Sequence, residues 1–176
     1  MVRSASAKGI IRRATPADQP LLGEIAGEVF AIYGSDYGLM IPAYARDVRV
    51  ITLVYELERV PVAFIQVGFL ESRSGRRGLI ADVLAVAVAA GYRGRGLGTA
   101  LFRRAFDLLR PMLERGTVSD VQLTVADTNG RGARLFQRLG FRVVDTDYGT
   151  YEGGQRAIRM GLRQLPPVDD DGPVSP

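Results

Sequence analysis

Proton transfer in this chain has few side chains to draw on. The sequence holds neither histidine nor cysteine, which removes an imidazole base, a thiolate nucleophile and the usual zinc ligand sets. Aspartate, glutamate, tyrosine, backbone groups and water remain. Asp82 stands apart among the carboxylates because it interrupts the apolar run LIADVLAVAVA at Leu79–Ala89. Burial there would raise its pKa into a useful range; alternatively it hydrogen-bonds a loop or helix end. A second stretch, YRGRGLGT at Tyr92–Thr99, has a different chemistry. Gly94, Gly96 and Gly98 punctuate a junction between a buried-strand pattern and a helical one. Free N–H groups at a helix start attract anions, and glycines let a phosphate approach the backbone. The net charge of +4 favours an anionic ligand as well.

The elements that must position these residues follow from periodicity. IIRR at 10–13 reads as a short strand. An amphipathic helix follows, with Thr15 as N-cap, Pro16 in its first turn and Leu21, Leu22, Ile25, Val29 and Phe30 on one face. Residues 31–47 mix glycine, proline and three tyrosines, and read as loop, short helix or both. VRVITLVYELE and VPVAFIQVGFLE form a hairpin, and SRSGRRG is a hairpin tip. After the Leu79–Ala89 strand and the glycine loop, TALFRRAFDLLR is a helix that Pro111 should end or kink. VQLTVA is a strand, GRGARLFQRLG a helix capped by Gly140, and FRVV and AIRMGLRQL are two more strands. The order implies one α/β domain over residues 10–165, antiparallel in its first strands and parallel where helices connect strands. Residues 1–9 and 166–176 read as a flexible N-terminus and a disordered tail. No run is long and apolar enough to span a bilayer or lead secretion, so a cytoplasmic protein without membrane contact is expected.

Generic phosphate motifs do not fit the glycine loop. The dinucleotide fingerprint has a different spacing, and a Walker loop ends in Gly-Lys-Ser/Thr. Arg93-x-x-Gly96-x-Gly98 instead closely resembles the coenzyme-A pyrophosphate loop of the GNAT superfamily of N-acetyltransferases. A second signature, LTVADTNGRGARLFQRLGF, resembles the family helix that opens on Asn129 with Ala133 and ends at Leu139-Gly140-Phe141. The opening IIRRATPADQPLLGEIA and the closing AIRMGLRQL are similar to the family's first and last elements. The resemblance covers roughly residues 10–165.

It implies a GNAT-like mixed central sheet, with antiparallel N-terminal strands and a parallel splayed central pair, flanked by helices. Acetyl-CoA would be the co-substrate, with no metal, and would transfer its acetyl group to an amine by direct attack. Val86 and Val88 would meet the acetyl and pantetheine groups. Arg93, Gly94, Arg95, Gly96, Leu97, Gly98 and Thr99 would cradle the pyrophosphate. Asn129 would hold the pantetheine or cap its helix, and Arg131 would lie near the nucleotide phosphate or on a solvated face. Asp82 occupies a position similar to the strand carboxylate that serves related enzymes as general base. The family's usual acid is a tyrosine where this chain has Phe136, a ring that can pack along pantetheine but cannot donate a proton. Tyr148 and Tyr151 are the candidate acids in its place. A second reading is a GNAT-like acyl-CoA-binding module that serves as sensor or scaffold. Nucleic-acid binding ranks last, because no aromatic residues interleave the arginines. The acceptor, a small-molecule or peptide amine, is left open; Asp36, Asp47, Asp145, Asp147 and Glu152 would suit a cationic one. Some family members form homodimers, and the sequence decides neither way.

Overall fold

The computed structural model describes residues 9–34, 36–72 and 78–167; the expected hairpin tip and most of both expected terminal segments lie outside them. Strand β1 (Ile10–Arg13) leads to a 3-10 turn at Pro16–Asp18 and then helix α1 (Gln19–Phe30). The expected helix start at Thr15 is thus a separate tight turn. The Asp18 carboxylate accepts the Thr15 N–H at 2.6 Å and pairs with Arg12 at 2.8 Å. Residues 31–47 resolve into a short helix, α2 (Tyr37–Tyr44). It packs closely on α1, where a side chain on Gly23 would come 2.7 Å from the Gly38 carbonyl.

The remaining elements are β2 (Val50–Leu57), β3 (Val60–Glu71), β4 (Leu79–Val88), α3 (Leu97–Glu114), β5 (Val118–Ala126), α4 (Gly130–Arg138), β6 (Arg142–Thr150) and β7 (Arg156–Leu162). They form one seven-stranded sheet of order β1-β2-β3-β4-β5-β7-β6. Among the described residues only β4 and β5 pair in parallel. Strands β5 and β6, joined by α4, also run in the same direction but are not neighbours, because β7 lies antiparallel between them. Pro111 neither ends α3 nor stands at its end. The helix runs on to Glu114, and the final turn closes through Arg115 and Gly116 N–H groups on Pro111 and Leu113 carbonyls. Met112 and Leu113 pack against the core there, which offsets the hydrogen bond that proline cannot donate.

Two apolar clusters cover the two sheet faces. Leu101, Phe102, Ala105, Phe106 and Leu109 from α3, with Phe136 and Leu139 from α4, close one face. Leu22, Ile25 and Ala26 from α1, with Ile41 from α2, close the other. Strand β4 serves both clusters by changing phase. Ala81 and Val83 join the α3 face, whereas Ala85 and Ala87 join the α1 face. An extra residue causes the switch: Val67 of β3 pairs with Val83 and Gln66 with Ala85, so Leu84 has no partner. Such a bulge re-aims every side chain beyond it.

Candidate active site

The bulge coincides with a parting of the sheet. Strands β4 and β5 pair from Leu79–Val118 to Val83–Leu123 and no further. Beyond that point, Val83–Val86 and Leu123–Ala126 become the two walls of a gap, which Phe30, Tyr33, Asn129, Phe136 and Tyr151 also line. A cleft of about 460 Å³ opens on one side of the gap and runs along Val86–Val88 to the glycine loop and α4. A recess of about 340 Å³ opens on the other side, with Asp82, Tyr148 and Tyr151 in its wall. Cleft and gap share Tyr33, Val86, Asn129 and Phe136; gap and recess share Val83, Leu84, Thr124 and Tyr151. The three form one passage through the sheet.

The glycine loop has the geometry its composition implies. Gly94 and Gly96 take φ of +80° and +78°, a region L side chains avoid. Gly96 caps α3, whose first-turn N–H groups have no intrahelical acceptor and belong to residues that line the cleft. A Cβ at Gly96 would meet nothing within 4 Å, so backbone conformation rather than crowding requires glycine there. Arg93 lines the cleft, and its Nε–H bonds the Val88 carbonyl at 3.0 Å while Nη2 lies 3.7 Å from Glu28. Arg95 donates to the Gly91 carbonyl at 3.0 Å and lies over the Tyr92 ring. Both arginines therefore brace the turn. Arg131 faces the loop from α4: a Cβ on Gly94 would lie 3.8 Å from its Nη2. Leu97, Gly98, Thr99 and Arg138 complete that end.

At the head of α4, the Asn129 Oδ1 accepts the Gly132 N–H at 2.9 Å, an N-cap. Burial pushes the Tyr33 hydroxyl up, and the Asn129 amide partly offsets this. Phe136 packs edge-on against Phe102 and Phe141, with ring centroids 5.7 and 6.2 Å away, and presents carbon to the passage.

Asp82 is neither at the end of its strand nor bonded to a helix end. It pairs in register with Gln122 of β5, and a buried arginine reaches it across that strand from β7. Arg159 Nη1 lies 3.0 Å from Asp82 Oδ1 and donates to Oδ2 at 3.3 Å, which leaves Oδ1 without a hydrogen-bond donor among the described residues. Gln122 and Thr124 take the other Arg159 protons at 2.8–3.0 Å. The Tyr148 ring lies 4.9 Å from the guanidinium carbon. Burial raises the Asp82 pKa, and the Arg159 charge opposes but does not cancel this. Burial also pushes the Tyr151 hydroxyl well up. The sequence reading missed Arg159. Its one signal was a charge set between the apolar Ile158 and Met160.

Tyr148 and Tyr151 both lie at the recess, but only Tyr151 also lines the gap. Tyr33, outside the expected acids, lines gap and cleft, and its ring lies 5.1 Å from that of Tyr151. The acidic residues expected to attract an acceptor spread more widely. Asp36 begins α2, Asp47 pairs with Arg49 at 2.7 Å, Asp145 and Asp147 lie on the exposed strand β6, and a side chain on Gly34 would come 2.6 Å from the Glu152 carboxylate.

Comparison with known proteins shows the family and the fold. The sequence model of the Acetyltransferase (GNAT) family matches residues 20–141. Streptothricin acetyltransferase of Streptomyces lavendulae is 33% identical over 81 residues, which span 44% of this chain and 41% of that protein. Among solved structures, Arabidopsis thaliana NAA60 in complex with acetyl-CoA superposes with a TM-score of 0.72 at 18% identity, covering 88% of this chain and 98% of that one. The ribosomal-protein-S18-alanine N-acetyltransferase of Escherichia coli gives 0.70 at 21%, covering 93% and 98%. The PaiA N-acetyltransferase of Thermoplasma acidophilum with coenzyme A gives 0.68 at 18%, covering 89% and 99%. At these identities the structural likeness is one of fold.

Proposed function

The chain belongs to the GNAT acetyltransferase family, and on that premise we propose that it moves an acetyl group from acetyl-CoA to an amine by direct attack, without a covalent enzyme intermediate. The observation that carries this reading is the passage through the parted strands, with an anion-cradling loop at one end and a buried carboxylate at the other. The fit to coenzyme A is physical. Free N–H groups at the start of α3, positive-φ glycines and Arg131 suit a pyrophosphate, and the apolar walls of Val86, Val88 and Phe136 suit pantetheine. Bound there, acetyl-CoA supplies the activated acyl group.

The chain's own residues then divide the remaining work. The loop and cleft orient the thioester at the gap, which replaces an encounter by a held geometry. Backbone N–H groups along the unpaired end of β4 are available to a developing oxyanion. Asp82, with a raised pKa and a place in the recess wall, takes a proton from the amine arriving through the recess. Arg159 orients that carboxylate, and the Tyr148 ring holds Arg159. Of the two tyrosines expected as acids, Tyr151 alone lines the gap as well as the recess. The streptothricin acetyltransferase relative supports acetyl transfer, and Asp145 and Asp147 on β6, the strand that carries Tyr148 to the recess, suit a cationic acceptor.

Phe136 favours a second reading, an acyl-CoA-binding module without turnover. Thiol release from acetyl-CoA over a panel of small amines and peptide N-termini separates the two. Amine-dependent steady-state release is expected; saturable binding with neither burst nor turnover would establish the module instead.

A further inference from the structure

We infer that Tyr33 is the acid that protonates the departing coenzyme-A sulfur, in place of the hydroxyl absent at Phe136. This rests on the acetyltransferase reading above. A thioester at the end of a pantetheine arm in the cleft meets an amine from the recess inside the gap, so its sulfur lies on the cleft side. Tyr33 lines both cleft and gap; Tyr151 lines gap and recess, and stands on the amine side. Tyr33 also shares its border position with Phe136 and Asn129, both of which line cleft and gap.

Its placement is built from three directions. The Tyr33 ring packs on Phe30 at 6.5 Å and on Tyr151 at 5.1 Å. The Gly153 N–H donates to the Tyr33 carbonyl at 2.9 Å, and Gln155 Nε2 donates to the Ile32 carbonyl at 2.8 Å. The turn between β6 and β7 thus clamps the end of α1 against the gap. In the step, the amine nitrogen forms a bond to the acyl carbon and the C–S bond breaks with its electron pair on sulfur. The Tyr33 Oη proton passes to that sulfur to give the thiol. The phenolate regains a proton from the one the attacking amine sheds, through Asp82 or water.

Tyr33→Phe, Tyr151→Phe and the double variant Tyr33→Phe with Phe136→Tyr test this in the full chain. With the best amine found, Tyr33→Phe is expected to lower kcat about a hundredfold while KM for acetyl-CoA stays near the parent value. Tyr151→Phe should lose less, and the double variant should recover much of the loss because it returns a hydroxyl to the same border. Calorimetric binding of acetyl-CoA is measured for each protein. Parent kcat in Tyr33→Phe, a larger kcat loss in Tyr151→Phe, or a double variant no better than Tyr33→Phe with binding intact would overturn the inference. Absence of acetyl-CoA binding in the parent protein would instead overturn the acetyltransferase reading.

Discussion

At Gly96 the main chain adopts φ +78° at the start of α3, and a side chain there would collide with nothing but would strain the backbone. The left-handed region costs an L residue about 1–2 kcal/mol. Gly96→Ala should therefore fold, yet bind coenzyme A several-fold more weakly in calorimetry, because relief of strain turns the loop N–H groups away. Unchanged affinity would separate the loop from the pyrophosphate. Asp82 gives a pH prediction. Burial disfavours its charged form, so its pKa lies above the usual carboxylate value, and a base works only when deprotonated. The rate should rise with pH through that elevated pKa, and Asp82→Asn should abolish this limb and lower kcat/KM by about a hundredfold. An identical pH–rate profile in Asp82→Asn would remove Asp82 from the proton path. The glycine loop was legible from spacing alone because its chemistry is local. The Asp82–Arg159 pair was not, since its members are 77 positions apart and meet only because β7 lies beside β5.

Among the elements, the turn between β6 and β7 controls how α1 meets the gap. A Cβ on Gly153 would run into the Ile32 carbonyl oxygen. Gly153→Ala should push the turn off Ile32 and Tyr33, lowering kcat while leaving acetyl-CoA affinity near the parent value, since the glycine loop lies elsewhere. Equal losses in kcat and affinity would contradict this division. Helix α3 was legible because its apolar residues recur at helical spacing, and β4 because a short continuous apolar run reads as a buried strand. Pro111 does not end α3, because core contacts of Met112 and Leu113 carry the last turn past it. The Leu84 bulge was invisible in LIADVLAVAV, since an apolar run shows no phase to slip. Sequence order likewise says nothing of β7 inserting between β5 and β6.

Over the whole molecule, one sheet with helices on both faces holds the passage open, so core integrity and site geometry are linked. Leu101 is fully buried at the centre of the α3 face. Leu101→Ala should cost about 2–5 kcal/mol and lower Tm, measured by thermal unfolding. Leu39→Ala, at a side chain 78% exposed, should leave Tm nearly unchanged. Acid stability should depend on Asp18, whose pKa is lowered to about 2, chiefly by its hydrogen bond with Arg12. A depressed carboxylate stabilises the fold above its unfolded pKa, and that contribution fades as pH falls from about 4 towards 2. Asp18→Asn should lower the urea midpoint at pH 7 and narrow the gap from the parent at low pH; a constant difference at both would contradict this. The central claim, that the cleft takes acetyl-CoA, is tested most directly by calorimetric titration of the full chain with acetyl-CoA. Saturable one-to-one binding, weakened in Gly96→Ala, is the predicted result; absence of saturable heat would contradict the account.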